Sequence, residues 1–280
     1  MENLTIVDGA RKVVLEEVID SETPLSTETH IKFPHGMVVT EVRDRIQQMI
    51  PHAHIAEEEY GLQDGPHPEY KDPDGNPLIV KDANCYGTIT FGWDDHRDQD
   101  KCWAFMVALR NSHIKKYPCE VFSGDKTYAC FNGMITGTEG VSARHTPNGW
   151  DKFSYQLYKM LGNLEQEYNT IDKRITGLRE TEITDGNAAE IILQNINWKN
   201  IDGNKEAVPI FRQYKDYADS GHQYFDAFGE RSAWSLYNAF SDVIKPTVLK
   251  GNKMRGAGIA LSFDNYMDTA QINKSPKVIN

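Results

Sequence analysis

Seven apolar residues, Leu157, Leu161, Leu164, Tyr168, Ile171, Ile175 and Leu178, recur at intervals of 4, 3, 4, 3, 4 and 3. Only a helix brings side chains back to one face with that spacing. The stripe, about six turns long from 157 to 178, therefore predicts a long amphipathic helix within residues 149–180. Such a face needs a broad apolar partner, and a sheet upstream would supply one. A helical seam between molecules is the other arrangement with this spacing.

The period upstream is that of strands. "CYGTITFGW" (85–93) is rich in β-branched and aromatic residues, the composition of a pleated, half-buried surface. "CWAFMVALR" (102–110) is apolar at both alternating sets of positions, which predicts a central strand covered on both faces. "CEVFSGDKTYACFNG" (119–133) reads as a hairpin turning at Ser123-Gly124-Asp125-Lys126, and "GVSARHT" (140–146) as one more strand. Earlier, Val39, Val42, Ile46 and Ile50 are at helical spacing before Pro51. "GLQDGPHPEYKDPDGNP" (61–77), with its prolines and glycines, reads as a loop. Past Pro147, "TDGNAAEIILQNINW", "AVPIFRQYKDYAD" and "RSAWSLYNAFSDVIKP" predict three further helices. The first is capped by Thr or Asp, and the second has proline in its first turn. The chain so divides into an acidic helical and loop region (1–79), an antiparallel sheet (80–146), helices on that sheet (147–249) and a polar, glycine-containing tail (250–280). The fold class is α+β.

The formal net charge is −11, unevenly placed. Residues 1–100 hold 8 basic and 21 acidic side chains, whereas residues 241–280 hold 6 and 3. That balance argues against a nonspecific duplex-DNA binder, which presents a basic footprint, but leaves room for a local basic groove. No apolar run approaches the ~20 residues that span a bilayer. The N-terminus has acids where a signal peptide has a basic region. A soluble protein with no membrane contact is expected.

Several chemistries lack their motif. There is no G-x-x-x-x-G-K-[ST], no G-x-G-x-x-G and no G-x-S-x-G. Cys85, Cys102, Cys119 and Cys130 form no C-x-x-C pair and read as buried thiols. "PHAHIAEEEYG" (51–61) and "WDDHRDQD" (93–100) are acidic clusters without metal-ligand spacing. They read as a solvated loop and a polar turn. No metal, no cofactor and no enzymatic activity are expected.

What the chain does carry is a basic set in an acidic background. Arg110, Lys115, Lys116, Lys126 and Arg144 fall at predicted strand ends and turns, with Tyr117, Phe122 and Tyr128 among them. Cations tracking a backbone, with aromatic rings offering π-faces, suit single-stranded nucleic acid. In this reading the five cations contact phosphates, and Tyr117 and Tyr128 stack on bases.

"ALRNSH" followed by "TYACFNGMI", and later "AWSLYNAFSD", resemble an uncharacterised phage- and plasmid-borne family. There an Asn-Ser-His segment ends one strand, a hydrophobic-Cys-x-Asn segment ends a later one, and a Trp-x-Leu-Tyr-Asn-Ala run lies in a C-terminal helix. The matching residues here are Asn111, Ser112, His113, Cys130 and Asn132. The resemblance spans roughly 100–245 and implies viral or plasmid origin, hence the host cytoplasm. A hairpin-rich sheet followed by a long helix is also similar to phage single-strand annealing proteins of the Red-beta/RecT type, although the acidic first third departs from them. Asn132-Gly133 suits a left-handed turn, and Ser112 and His113 suit bonding the freed backbone of a strand end. A Cys130–His113 dyad would need those strands in register.

The leading expectation is a non-enzymatic phage protein of DNA metabolism that binds or anneals single-stranded DNA as a homo-oligomer. The alternatives are an acidic protein that blocks a host protein, and a virion structural or assembly protein.

Overall fold

The computed structural model describes residues 9–50, 52–94, 103–127, 133–134, 140–223, 225, 231–244 and 254–274. The architecture is α+β: one antiparallel sheet with helices packed on it. The strands are β1 (Arg11–Val13), β2 (Ala53–Lys71), β3 (Pro77–Trp93), β4 (Trp103–Ser112), β5 (Cys119–Thr127), β6 (Gly133–Met134) and β7 (Gly140–Ala143). Their order is β1-β2-β3-β4-β5, and the outer edge of β5 is shared by β6 and β7. Every residue of β4 is buried, as its two-sided apolar pattern requires.

The helices are α1 (Leu15–Ile19), α2 (His35–Met49), α3 (Gly149–Gly162), α4 (Leu164–Glu180), α5 (Asp185–Asn197), α6 (Ala207–Tyr217), α7 (Ala233–Ile244) and α8 (Met254–Lys274). All seven stripe residues are buried in one core with Trp93, Trp103, Phe105 and Val107 of the sheet. Tyr168 seats the contact, its ring centroid 4.9 Å from Trp93 and 5.3 Å from Trp103. Thr184 caps α5 by accepting the Asn187 amide at 3.2 Å. Among the described residues no helix is long and apolar enough to cross a membrane.

The structure corrects the sequence-based expectations at five places. The stripe is carried by two helices: the chain breaks at Asn163, after Gly162, two residues of low helix propensity. Residues 61–77 are not a loop. They are the arm of a long β2–β3 hairpin turned by Asp72–Asn76, where the Asp72 carboxylate accepts the amides of Asp74 and Asn76 and Gly75 takes φ +86°. Pro66 and Pro68 are tolerated because, among the described residues, β1 covers β2 at Tyr60–Leu62 and nothing pairs with the prolines on that edge, where register shifts lie beside them. The acidic run at Glu57–Glu59 lies in β2 and is no solvated loop: Glu57 pairs with Lys126, Glu58 with Arg43 and Glu59 with Lys12. Ser123–Lys126 do not turn; they pair through β5 with Ala104–Val107. Their polar groups find tertiary partners, namely Glu167 for Ser123 (3.4 Å), Tyr237 for Asp125 (2.8 Å) and Glu57 for Lys126 (2.8 Å). Within the expected polar tail, Met254–Lys274 form α8, held to α4 by a bidentate Arg174–Asp264 pair at 2.8 and 2.9 Å. Cys85 and Cys119 are free, buried thiols, and burial pushes both pKa values up. Cys102, Cys130 and residues 95–100 lie outside the described residues.

Candidate anion-binding site

The strand end at Asn111-Ser112-His113 is a clasp. The Asn111 amide donates to the Phe33 carbonyl at 2.8 Å and lies 2.8 Å from His35 Nδ1. That nitrogen therefore accepts, and the His35 proton sits on Nε2, where it meets the Asp82 carbonyl at 2.9 Å. His113 donates from Nε2 to Phe33 O at 2.9 Å, and its ring stacks on His35 with centroids 3.8 Å apart. Ser112 Oγ accepts the amides of Ile114 and Lys116, shaping the turn in which Lys115 takes φ +62°. The clasp pins residues 30–35 against β4 and holds Lys115 on its far side.

Those pinned residues build one wall of a pocket. Lys32, itself buried, donates to the His113 carbonyl and reaches His30 Nδ1 at 3.0 Å. An ammonium only donates, so His30 Nδ1 accepts and neutral His30 carries its proton on Nε2. His145 stacks on Phe33 at 4.4 Å, with Nδ1 3.1 Å from the Ile31 carbonyl. The opposite wall is the start of α3. There Gly149 is obligatory, because a Cβ at that position would lie 2.1 Å from the Arg144 carbonyl. Removing that side chain lets the helix terminus press against the chain that carries Arg144.

Between these walls is a pocket of about 870 Å³, lined by His30, Lys115, Tyr117, Ser142, Arg144, His145, Thr146, Gly149, Lys152 and their neighbours Thr29 and Pro118. Among the described lining residues there is no carboxylate, and there are three permanent cations. The histidines around the pocket are kept neutral, chiefly by burial. Burial, then Lys32 and Lys115, lowers His30 to about 4. Burial lowers His145 to about 3 and His113 to about 4, and His35 falls well below its ordinary value. Burial and Lys115 also lower Lys32. His145 Nε2 has no hydrogen-bond partner among the described residues. A helix of 14 residues directs its positive end toward this space, and Asn148 makes no side-chain capping bond there. The arrangement is suited to an oxyanion. Lys115 meanwhile pairs with Glu69 of the hairpin arm at 2.5 Å, both side chains being largely exposed.

The basic set expected from sequence is thus divided. Lys115 and Arg144 meet at the pocket. Lys116 is exposed beside it, its Nζ 5.2 Å from the Tyr117 ring. Arg110 and Lys126 are not phosphate contacts: they are buried on the sheet and paired with Glu120 at 2.6 Å and Glu57 at 2.8 Å. Tyr117 is no stacking platform, being only 8% exposed with the Arg110 guanidinium 4.3 Å from its ring centroid. Phe122 is likewise buried. Tyr128, Cys130 and Asn132 lie outside the described residues, and so does the cysteine half of the Cys130–His113 dyad. Sequence reasoning missed His30, His145 and Lys152. Nothing local marks them, because the fold brings them together from the segment near 30, the end of β7 and the first turn of α3. Among the described residues no group of three His, Cys, Asp or Glu side chains is placed to hold a metal ion. Comparison with family models, with curated proteins and with solved structures finds no match to this chain.

Proposed function

We propose that this protein binds single-stranded DNA without catalysing a reaction on it, holding strand phosphates in the pocket at the start of α3. The observation that carries the reading is the lining: Lys115, Arg144 and Lys152 converge on one pocket with no carboxylate among the described lining residues, although Lys115 also pairs with Glu69, in a chain of net charge −11. Three cations held together repel one another, and a bound anion relieves that repulsion. Phosphate is matched by permanent cations together with helix amides. The acids at Glu57–Glu59 are consumed in internal pairs, which makes them poor material for a partner-blocking acidic stripe.

The test is fluorescence anisotropy on a labelled single-stranded oligonucleotide across a salt series. Affinity should fall as salt rises. Arg144→Ala with Lys152→Ala should weaken binding and reduce the salt slope by about 1.4, at roughly 0.7 per phosphate contact on a single strand. Binding that ignores both salt and this double substitution would remove the assignment.

A further inference from the structure

We infer that the outer face of α3 is a base-stacking track that leads a single strand away from the phosphate pocket, with Tyr155 and Tyr158 as its platforms. The inference rests on the reading of that pocket as a phosphate site. Inward, α3 buries Phe153, Leu157, Met160 and Leu161. Outward it shows two large aromatics, Tyr155 at 66% and Tyr158 at 56% exposure, with Lys152 and Lys159 exposed on the same side. Lys152, Tyr155 and Lys159 stand at i, i+3 and i+7, one line on a helix surface, and Tyr158 lies one turn from Tyr155. Lys152 also lines the pocket, so the line begins where the phosphate would sit. From Lys152 to Lys159 it runs about 10 Å along the axis, at 1.5 Å per residue.

A lone exposed aromatic needs no explanation. Two on one short face contribute nothing to the core, and that face carries two lysines and one acid, Asp151, which stands four residues before Tyr155. Two open rings between two cations suit an unpaired strand, with phosphates on the ammonium groups and bases on the π-faces. A duplex cannot use it, since its bases are already stacked inside. The platforms differ from those the sequence suggested because Tyr117 is enclosed by the sheet, whereas Tyr155 and Tyr158 fall between the stripe positions of a helix and are turned to solvent.

The experiment measures anisotropy on single-stranded, duplex and abasic oligonucleotides of one length. Tyr155→Ala with Tyr158→Ala should weaken single-strand binding at least about fivefold for each ring. The salt slope should hold, because no phosphate contact is lost. Phenylalanine at both positions should keep the affinity, since the rings remain. Wild-type protein should bind the abasic strand about as weakly as the alanine variant binds the normal one, a comparison that does not depend on how the variant folds. Alanine variants that bind like wild type, while Arg144→Ala with Lys152→Ala fails to bind, would overturn the track and leave the pocket standing. Loss on phenylalanine substitution would overturn stacking as the cause, and equal binding of abasic and normal strands would do the same. Wild-type protein with no salt-sensitive binding at all would remove both.

Discussion

Arg110 and Glu120 face each other across β4 and β5, and their pairing shows why one of the most basic-looking parts of this sequence is not a binding surface. Arg110 Nε donates to Glu120 Oε2 at 2.6 Å, with the side chains 8% and 2% exposed. Glu120 Oε1 accepts the Ser142 hydroxyl at 3.1 Å, and the guanidinium lies 4.3 Å from the centre of the Tyr117 ring. Substituting Glu120→Leu takes the facing carboxylate from a buried guanidinium, which costs about 3–5 kcal/mol. With a urea slope of ~3 kcal/mol/M, the unfolding midpoint should fall by about 1–1.7 M. Arg110→Leu should cost a similar amount. The double replacement should recover most of the loss, because two apolar side chains leave no buried charge behind. Urea unfolding of the four proteins, followed by circular dichroism, closes the cycle. A single substitution that costs less than about 1 kcal/mol would place the pair among ordinary surface ion pairs and refute the burial argument. The double variant should also bind single-stranded DNA with an unchanged salt slope, since Arg110 reaches no phosphate.

Other outcomes follow from the same structure. The histidines at the clasp and pocket stay neutral in the fold, with His30 and His113 lowered to about 4 and His145 to about 3. Unfolded histidine takes up its proton near pH 6.5, so below that pH the unfolded chain binds more protons than the native one. Stability should therefore be full above about pH 7 and decline from about 6.5 toward 4; a urea midpoint that stays level from pH 7 to 5 would contradict this. Gly149→Ala should destabilise by about 1–3 kcal/mol and weaken anion binding, because its methyl group meets the Arg144 carbonyl; thermal melts and anisotropy report both. Tyr237→Phe should cost about 1–3 kcal/mol in urea unfolding, since it removes the hydroxyl that donates to buried Asp125 at 2.8 Å.

Local pattern alone determined a good deal of this molecule. The 4-3 spacing chose the buried side of α3 and α4, the apolar run at 103–110 made a strand with two covered faces, and Thr184 started α5. Each of these depends on neighbours a few residues away, which the chain carries with it. The tertiary structure decided the rest. Ser123, Asp125 and Lys126 have the composition of a turn, yet they lie within a strand because Glu167, Tyr237 and Glu57 arrive to satisfy them. Pro66 and Pro68 continue a strand because the neighbouring β1 stops short of them. Lys126 and Arg144 look alike in sequence, but a facing glutamate takes the first into the sheet while the second lines a pocket. That pocket joins residues near 30, 115, 145 and 150, and the clasp of Asn111 and His113 on Phe33 brings them together. A side chain's charge is written at its own position; whether that charge is spent on an internal partner or left for a ligand depends on what the fold places opposite it.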